Sequence, residues 1–221
     1  MKDKILKNIF NAASRLKLLV KPTDYLDYWQ NRYERHGDSG VGSAGDLRIF
    51  KTDFINSFIK EKNISRVIDF GCGDGRQIIN LKINEYLGLD VAPAAINLCR
   101  EIYKTDETKS FMVYNPKSFE NKNFIQADLV ICLDVLYHIT DEDDFKKTLR
   151  DIFSCSSDWV ILYTNTGIVP VAKRSHIVYR DTLDYLKGLT TFKIEEIVKQ
   201  KYPEQSGADF IVLKKITGNY V

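Results

Sequence analysis

The run Val67-Ile68-Asp69-Phe70-Gly71-Cys72-Gly73-Asp74-Gly75-Arg76 constrains this chain more than any other stretch. A short apolar segment ends in an acid, three alternating glycines follow, and helical spacing begins after them. This predicts a strand, a tight turn and a helix over about 75–83. Glycine is required where the backbone takes positive φ and comes close to a ligand, because a Cβ would obstruct both. Such a turn binds a phosphate or another small polar cofactor. Dinucleotide folds set G-x-G-x-x-G against a pyrophosphate; here the spacing is G-x-G-x-G, bracketed by Asp69 and Asp74. Unit charges ~4 Å apart interact by about 1 kcal/mol in water and by several times more in a cleft. Two carboxylates therefore favour a ligand that is cationic near the turn.

From residue 66 the pattern alternates. Strands are expected at 66–70, 86–90, 110–114, 128–133, 158–164, 191–199 and 208–216, and helices at about 75–83, 93–104, 141–153 and 179–187. Strands separated by helices imply right-handed crossovers and a mostly parallel α/β sheet covered on both faces. The last two strands have no helix between them and are expected to form an antiparallel hairpin at the sheet edge. Residues 2–20 place Ile5, Ile9, Phe10, Ala13, Leu16, Leu19 and Val20 at helical spacing, a face for the domain or for a second copy in a homodimer. After Pro22, Thr23 or Asp24 can cap a second helix through Tyr25, Tyr28, Trp29 and Tyr33. The glycine-serine segment 36–45 is either a linker or a loop folded over a cofactor, and the aromatic and charged residues flanking it favour the loop.

Charge and composition exclude several classes. With 32 basic and 30 acidic residues the net charge is +2, so no broad basic field points to nucleic acid. No run of ~18 apolar residues predicts a membrane span. Cys72, Cys99, Cys132 and Cys155 form no C-x-x-C pair, which favours free buried thiols and a reducing, cytoplasmic setting. The acids Asp141, Glu142, Asp143 and Asp144 read as a helix cap and first turn rather than a metal site.

Two further marks decide the chemistry. Tyr86-Leu87-Gly88-Leu89-Asp90-Val91 is an apolar strand ending in an acid, and a carboxylate at that second strand tip can accept hydrogen bonds from the vicinal hydroxyls of an adenosine ribose. Asp128 to His138 reads as a buried fourth strand and a turn at the mouth of the same site. Asp134 and His138 are four apart and would face the same way on a helical turn. A carboxylate could then orient the imidazole, freeing its other nitrogen to take a proton from an acceptor hydroxyl. Alternatively, His138 packs under the cofactor or caps the following helix.

These motifs resemble the class I S-adenosylmethionine-dependent methyltransferases. The resemblance implies a Rossmann-like, doubly wound seven-stranded sheet of order 3-2-1-4-5-7-6 with strand 7 antiparallel and extra N-terminal helices. It divides the chain into a helical extension and cofactor-covering loop at 1–60 and a cofactor-binding domain at 61–221. It implies cofactor contacts at Asp69, Gly71, Cys72, Gly73, Gly75, Asp90, Val91 and Leu133, with Ser43 from the covering loop. The adenine is expected between Val91 and the loop after strand 3, where Tyr114, Asn115 and Phe119 are candidates. No D-P-P-Y or N-P-P-Y ending, associated with amino methylation of bases, follows strand 4, so oxygen is the favoured acceptor atom.

Tyr28 to Arg35, Asp38 to Ser43 and Leu133 to His138 are also similar to bacterial methyltransferases associated with surface, or capsular, polysaccharide clusters. That similarity implies a small polar acceptor: a phosphorylated or nucleotide-linked sugar, or a glycan decoration such as a phosphoramidate. Tyr33, Arg32, His36, Arg174, His176 and Arg180 are the candidate acceptor residues, the cations as a clamp for a phosphate. Methylation of another small metabolite or of RNA, and a non-catalytic partner of another methyltransferase, are the alternatives.

Overall fold

The computed structural model describes residues 24–167 and 176–216. The expected helix at 2–20 and the candidate Arg174 lie outside them. Seven strands form one sheet: β1 (Arg66–Phe70), β2 (Glu85–Asp90), β3 (Lys109–Val113), β4 (Ala127–Leu133), β5 (Ser156–Asn165), β6 (Phe192–Val198) and β7 (Ala208–Lys215). Their order is β3-β2-β1-β4-β5-β7-β6, and β7 runs antiparallel to both β5 and β6. This is the Rossmann-like order that the resemblance implies.

The helices are α1 (Tyr25–Glu34), α2 (Gly45–Lys62), α3 (Pro93–Ile102), α4 (Glu142–Ser154) and α5 (Thr182–Leu186). Their starts follow local chemistry. Asp24, Asp141 and Asp181 accept backbone N–H bonds at the starts of α1, α4 and α5, and Pro93 opens α3, where a missing N–H costs nothing. The acids at 142–144 fill the first turn of α4, favourable at a helix N-terminus. Glu142 also pairs with Arg180, and Asp144 accepts from the Tyr25 hydroxyl.

Neighbouring strand residues feed two cores on opposite faces. Ile68, Phe70, Val130 and Cys132 pack with Phe145, Leu149 and Ile152 of α4. Val67, Leu129 and Ile131 pack with Ile55, Phe58 and Ile59 of α2. β4 is buried along almost its whole length, as a central parallel strand should be. All four cysteines are buried, free thiols.

The helix expected at 75–83 is not formed, and the chain from Gly71 to Asn80 runs as turns. Ile78 and Leu81 share the core with Ile55, Phe58 and Ile59 of α2. A helix that precedes β1 thus covers the face a following helix would have covered. Gly75 at φ 77°, its carbonyl accepting the Tyr103 hydroxyl at 2.8 Å, holds the segment away from helical geometry. The last helix is also shorter than expected.

Candidate functional site

The strand tips open into a cleft of ≈ 830 Å³, counted to its open mouth. One wall is the glycine turn. Gly71 sits at φ 88°, and a Cβ there would lie 2.2 Å from Val135 Cγ2. The N–H groups of Gly71 and Cys72 donate to the Leu89 carbonyl at 2.7 and 3.0 Å. The Asp90 carboxylate accepts from Gly73 N at 2.9 Å and from Ala92 N at 2.8 Å, so it is fixed without losing all its acceptor capacity. Asp69 accepts from the Tyr86 hydroxyl at 2.8 Å through Oδ2. Its Oδ1 is buried with no partner among the described residues.

Burial dominates the electrostatics of this wall. It pushes Asp69 up to about 7, opposed by the Tyr86 hydrogen bond and reinforced by Asp90. It also pushes Asp90 up to about 6, against the stabilising N–H groups of Ala92 and Gly73. Burial draws both carboxylates towards the neutral form, and Lys51 offsets only part of this at Asp69; a cationic ligand would reverse it.

The cover comes from α1 and the loop after it. Tyr25, Trp29, Tyr33, Ser39 and Ser43 all line the cleft. Ser39 Oγ donates to Asp74 Oδ1 at 2.8 Å, and Ser39 N donates to the same carboxylate. The glycine-serine segment is thereby tied to the glycine turn. Asp74 is turned towards Ser39 and Arg76 and does not line the cleft. Only Asp69 of the two bracketing acids does.

At the tip of β4 the expected Asp134–His138 pairing is absent. Asp134 adopts φ 62°, and the next residues form a 3-10 turn, Leu136–His138, rather than an α-turn. One oxygen of Asp134 accepts from Lys51 Nζ and the other from the Tyr137 hydroxyl at 2.7 Å. His138 Nδ1 instead faces the His176 carbonyl at 3.2 Å. A carbonyl can only accept, so Nδ1 carries the proton and Nε2 keeps the lone pair. Burial pulls His138 down to about 4, partly offset by the His176 carbonyl, so the ring is neutral above that pH. Trp29 meets it edge-on at 5.0 Å, and His176 stacks on Tyr28 at 4.7 Å.

The sequence-predicted residues separate into two groups. Asp69, Gly71, Cys72, Gly73, Asp90, Val91, Leu133, Ser43, Asp134, His138 and Tyr33 come together around the cleft. Gly75 does not line it. The expected phosphate clamp is not assembled among the described residues. Arg180 is spent inside the fold, donating to the Ile139 carbonyl at 2.8 Å and to Glu142 at 2.8 Å and lying 4.5 Å over the Phe145 ring. Arg32 donates to the Asp38 carbonyl and carboxylate at 2.5 and 3.0 Å, closing the loop after α1. His36 is exposed at φ 59° and does not line the cleft. His176 touches the site through its carbonyl and its ring stack.

Lys51, Gln77, Thr148 and Val135 were missed. Lys51 is only 1% exposed and lies 5.2 Å over the Tyr163 ring. It falls in register with buried Leu47, Ile55 and Ile59 along α2. A lysine in an apolar helical stripe is a readable signal of a buried charge partner. Gln77 gives no such signal, because the helix its sequence spacing predicts does not form. Of the adenine candidates, Tyr114 lines the cleft, its hydroxyl bound to Asp151 and Thr148 at 2.8 and 3.2 Å.

Residues 68–158 match the family model described as a methyltransferase domain. No curated protein shows significant sequence similarity to the chain. Among solved structures, the S-adenosylhomocysteine-bound magnesium protoporphyrin IX methyltransferase of Synechocystis PCC 6803 is similar at TM-score 0.61 and 18% identity, over 86% of this chain and 97% of that one. The phosphoethanolamine N-methyltransferase 1 of Haemonchus contortus is similar at 0.65 and 14%, over 89% of this chain and 49% of that one. CalS10, an amino pentose methyltransferase from Micromonospora echinaspora, is similar at 0.57 and 12%, over 77% and 91%. No helix among the described residues is long and apolar enough to cross a membrane. Residues 68–158 thus match a methyltransferase domain, and the chain shares the seven-stranded fold of these methyltransferases.

Proposed function

We propose that this cleft methylates a hydroxyl of a small, sugar-type acceptor in surface polysaccharide synthesis, with His138 as the general base. The observation that carries the reading is a neutral, desolvated imidazole sharing one cleft with the Asp69 and Asp90 carboxylates. The residues fit S-adenosylmethionine: Asp69 Oδ1 is a buried acceptor awaiting a donor, and Asp90 sits at the next strand tip with free lone pairs. When bound, the cofactor supplies an electrophilic sulfonium methyl.

The chain's part is to hold, orient and deprotonate. Asp90 would accept from the ribose and Asp69 would face the positive end of the amino-acid arm. His138 would take the acceptor proton at Nε2, with Nδ1–H held by the His176 carbonyl. A hydroxyl needs that help more than a neutral amine does, since the amine already exposes a lone pair. Most of the rate would come from positioning the acceptor against the methyl. Trp29, edge-on to the imidazole, and Tyr33 line the cleft beside it and suit the C–H face of a sugar. CalS10, on the same fold, acts on an amino pentose. The cleft lining includes no lysine or arginine among the described residues, which favours a neutral reacting sugar.

Incubation with isotopically labelled cofactor and extracted nucleotide-sugar and glycan precursors, followed by mass spectrometry, tests this. A methyl ether on a sugar is expected. Labelled RNA, a labelled nitrogen, or no labelled acceptor despite tight cofactor binding would overturn it.

A further inference from the structure

The turn that replaces the expected helix at 75–83 brings a side chain into the cleft that the family motif does not account for. Gln77 is 8% exposed and lines the same cavity as Asp69. Its Nε2 donates to the Arg48 carbonyl at 3.3 Å and to Thr52 Oγ1 at 3.2 Å, both on α2. The Arg48 carbonyl can only accept, so the amide orientation is fixed with nitrogen towards α2. Gln77 Oε1 is then left buried without a partner among the described residues, as is Asp69 Oδ1. A buried acceptor without a donor costs free energy unless a ligand or water supplies one. Two orphaned acceptors in one cavity ask for a ligand group with several N–H donors and a positive charge.

We infer that Gln77 is a second anchor for the primary ammonium of the cofactor's amino-acid arm, its Oε1 accepting one N–H while Asp69 Oδ1 accepts another. The inference rests on the cofactor reading above and deepens it. It explains why the segment is pinned to α2: the anchor at Arg48 and Thr52 aims the amide, and Gly75 lets the chain turn short of a helix. An ammonium has three donors, so one carboxylate oxygen does not satisfy it in a dry cleft. Gln77 touches the cofactor in this account but takes no part in proton transfer.

Calorimetric titration of the full chain tests it with three probes: S-adenosylhomocysteine, its analogue lacking the amino group, and 5′-methylthioadenosine, which lacks the arm's amino-acid end. Gln77→Met keeps the length and removes the amide. The variant is expected to lose about tenfold or more in affinity for S-adenosylhomocysteine, while binding of the other two stays within about twofold. Equal losses on all three probes, or no loss on S-adenosylhomocysteine, overturn the assignment. The wild-type chain gives a check that needs no variant: removing the ligand's amino group should cost at least as much as the substitution does, and equal binding of the two ligands would refute an ammonium site. Failure of the wild-type chain to bind any of the three would sink the cofactor reading itself.

Discussion

The two walls of the cleft are built on different principles. On the wall proposed for the cofactor, the tips of β1 and β2, backbone does most of the work. Gly71 and Gly73 hold positive φ, the turn's N–H groups bond to Leu89 and Asp90, and the ligand-facing groups sit close in sequence to the turn that aims them. On the side proposed for the acceptor, α1 and the segment from His176 to Arg180, side chains far apart in sequence meet: Tyr28 on His176, Trp29 on His138, Arg180 on Glu142. Damage to the first wall should therefore abolish binding, whereas damage to the second should slow turnover or loosen the fold.

The largest effect is expected at Gly71. Alanine there would place a Cβ 2.2 Å from Val135 Cγ2 at φ 88°. Strain of this kind costs ~2 kcal/mol or more. Gly71→Ala should lower the thermal midpoint and weaken S-adenosylhomocysteine binding by more than about tenfold. An unchanged midpoint and affinity would mean that the turn relaxes freely.

Next in size is a pH effect on the same wall. Asp69, pushed up to about 7 chiefly by burial, is faced by Tyr86, Asp90 and Lys51. A carboxyl raised in the folded state contributes stability that is fully present below its unfolded value near 4 and is lost as pH rises through about 7. Asp90, raised to about 6, acts in the same direction. The ligand-free protein should thus lose stability across this window. A cationic ligand binds the ionised form, so affinity for S-adenosylhomocysteine should rise towards pH ~7 and level off above it. Titration calorimetry across the window checks the sign, and affinity that falls with pH would contradict a cationic arm beside Asp69.

A smaller effect on the other wall sharpens the contrast. Arg180 has an 8% exposed side chain and bonds Ile139, Thr140 and Glu142. Arg180→Ala should cost ~1–3 kcal/mol of stability, because it leaves the carbonyl of buried Ile139 without its donor. It should leave cofactor affinity within about twofold. A loss confined to acceptor KM at unchanged stability would restore the role in acceptor binding expected from sequence.

These contrasts explain what the sequence could convey. All seven strands were legible within a few residues because apolar runs ending in turn residues are a local signal. Asp69, Gly71, Gly73 and Asp90 were legible because their geometry is set by neighbours in sequence. The helix at 75–83 was misread because α2, which precedes β1, already covers that face; only tertiary packing decides it. Arg32 and Arg180 look like a clamp in the sequence because a cation's partner is invisible until the fold supplies one. Asp134 was paired with His138 on α-helical spacing, but its φ of 62° breaks that spacing and turns the carboxylate to Lys51 and Tyr137. Lys51 was recoverable from its place in an apolar stripe.

The central claim is that one wall binds the cofactor while His138 on the other removes the acceptor proton. His138→Ala, assayed on one preparation for both methyl transfer and S-adenosylhomocysteine binding, tests it most directly. Turnover should fall by ~10²-fold or more with cofactor affinity within a few-fold. Near-normal turnover, or a loss of cofactor binding that accounts for the whole effect, would make His138 a packing residue and contradict the account.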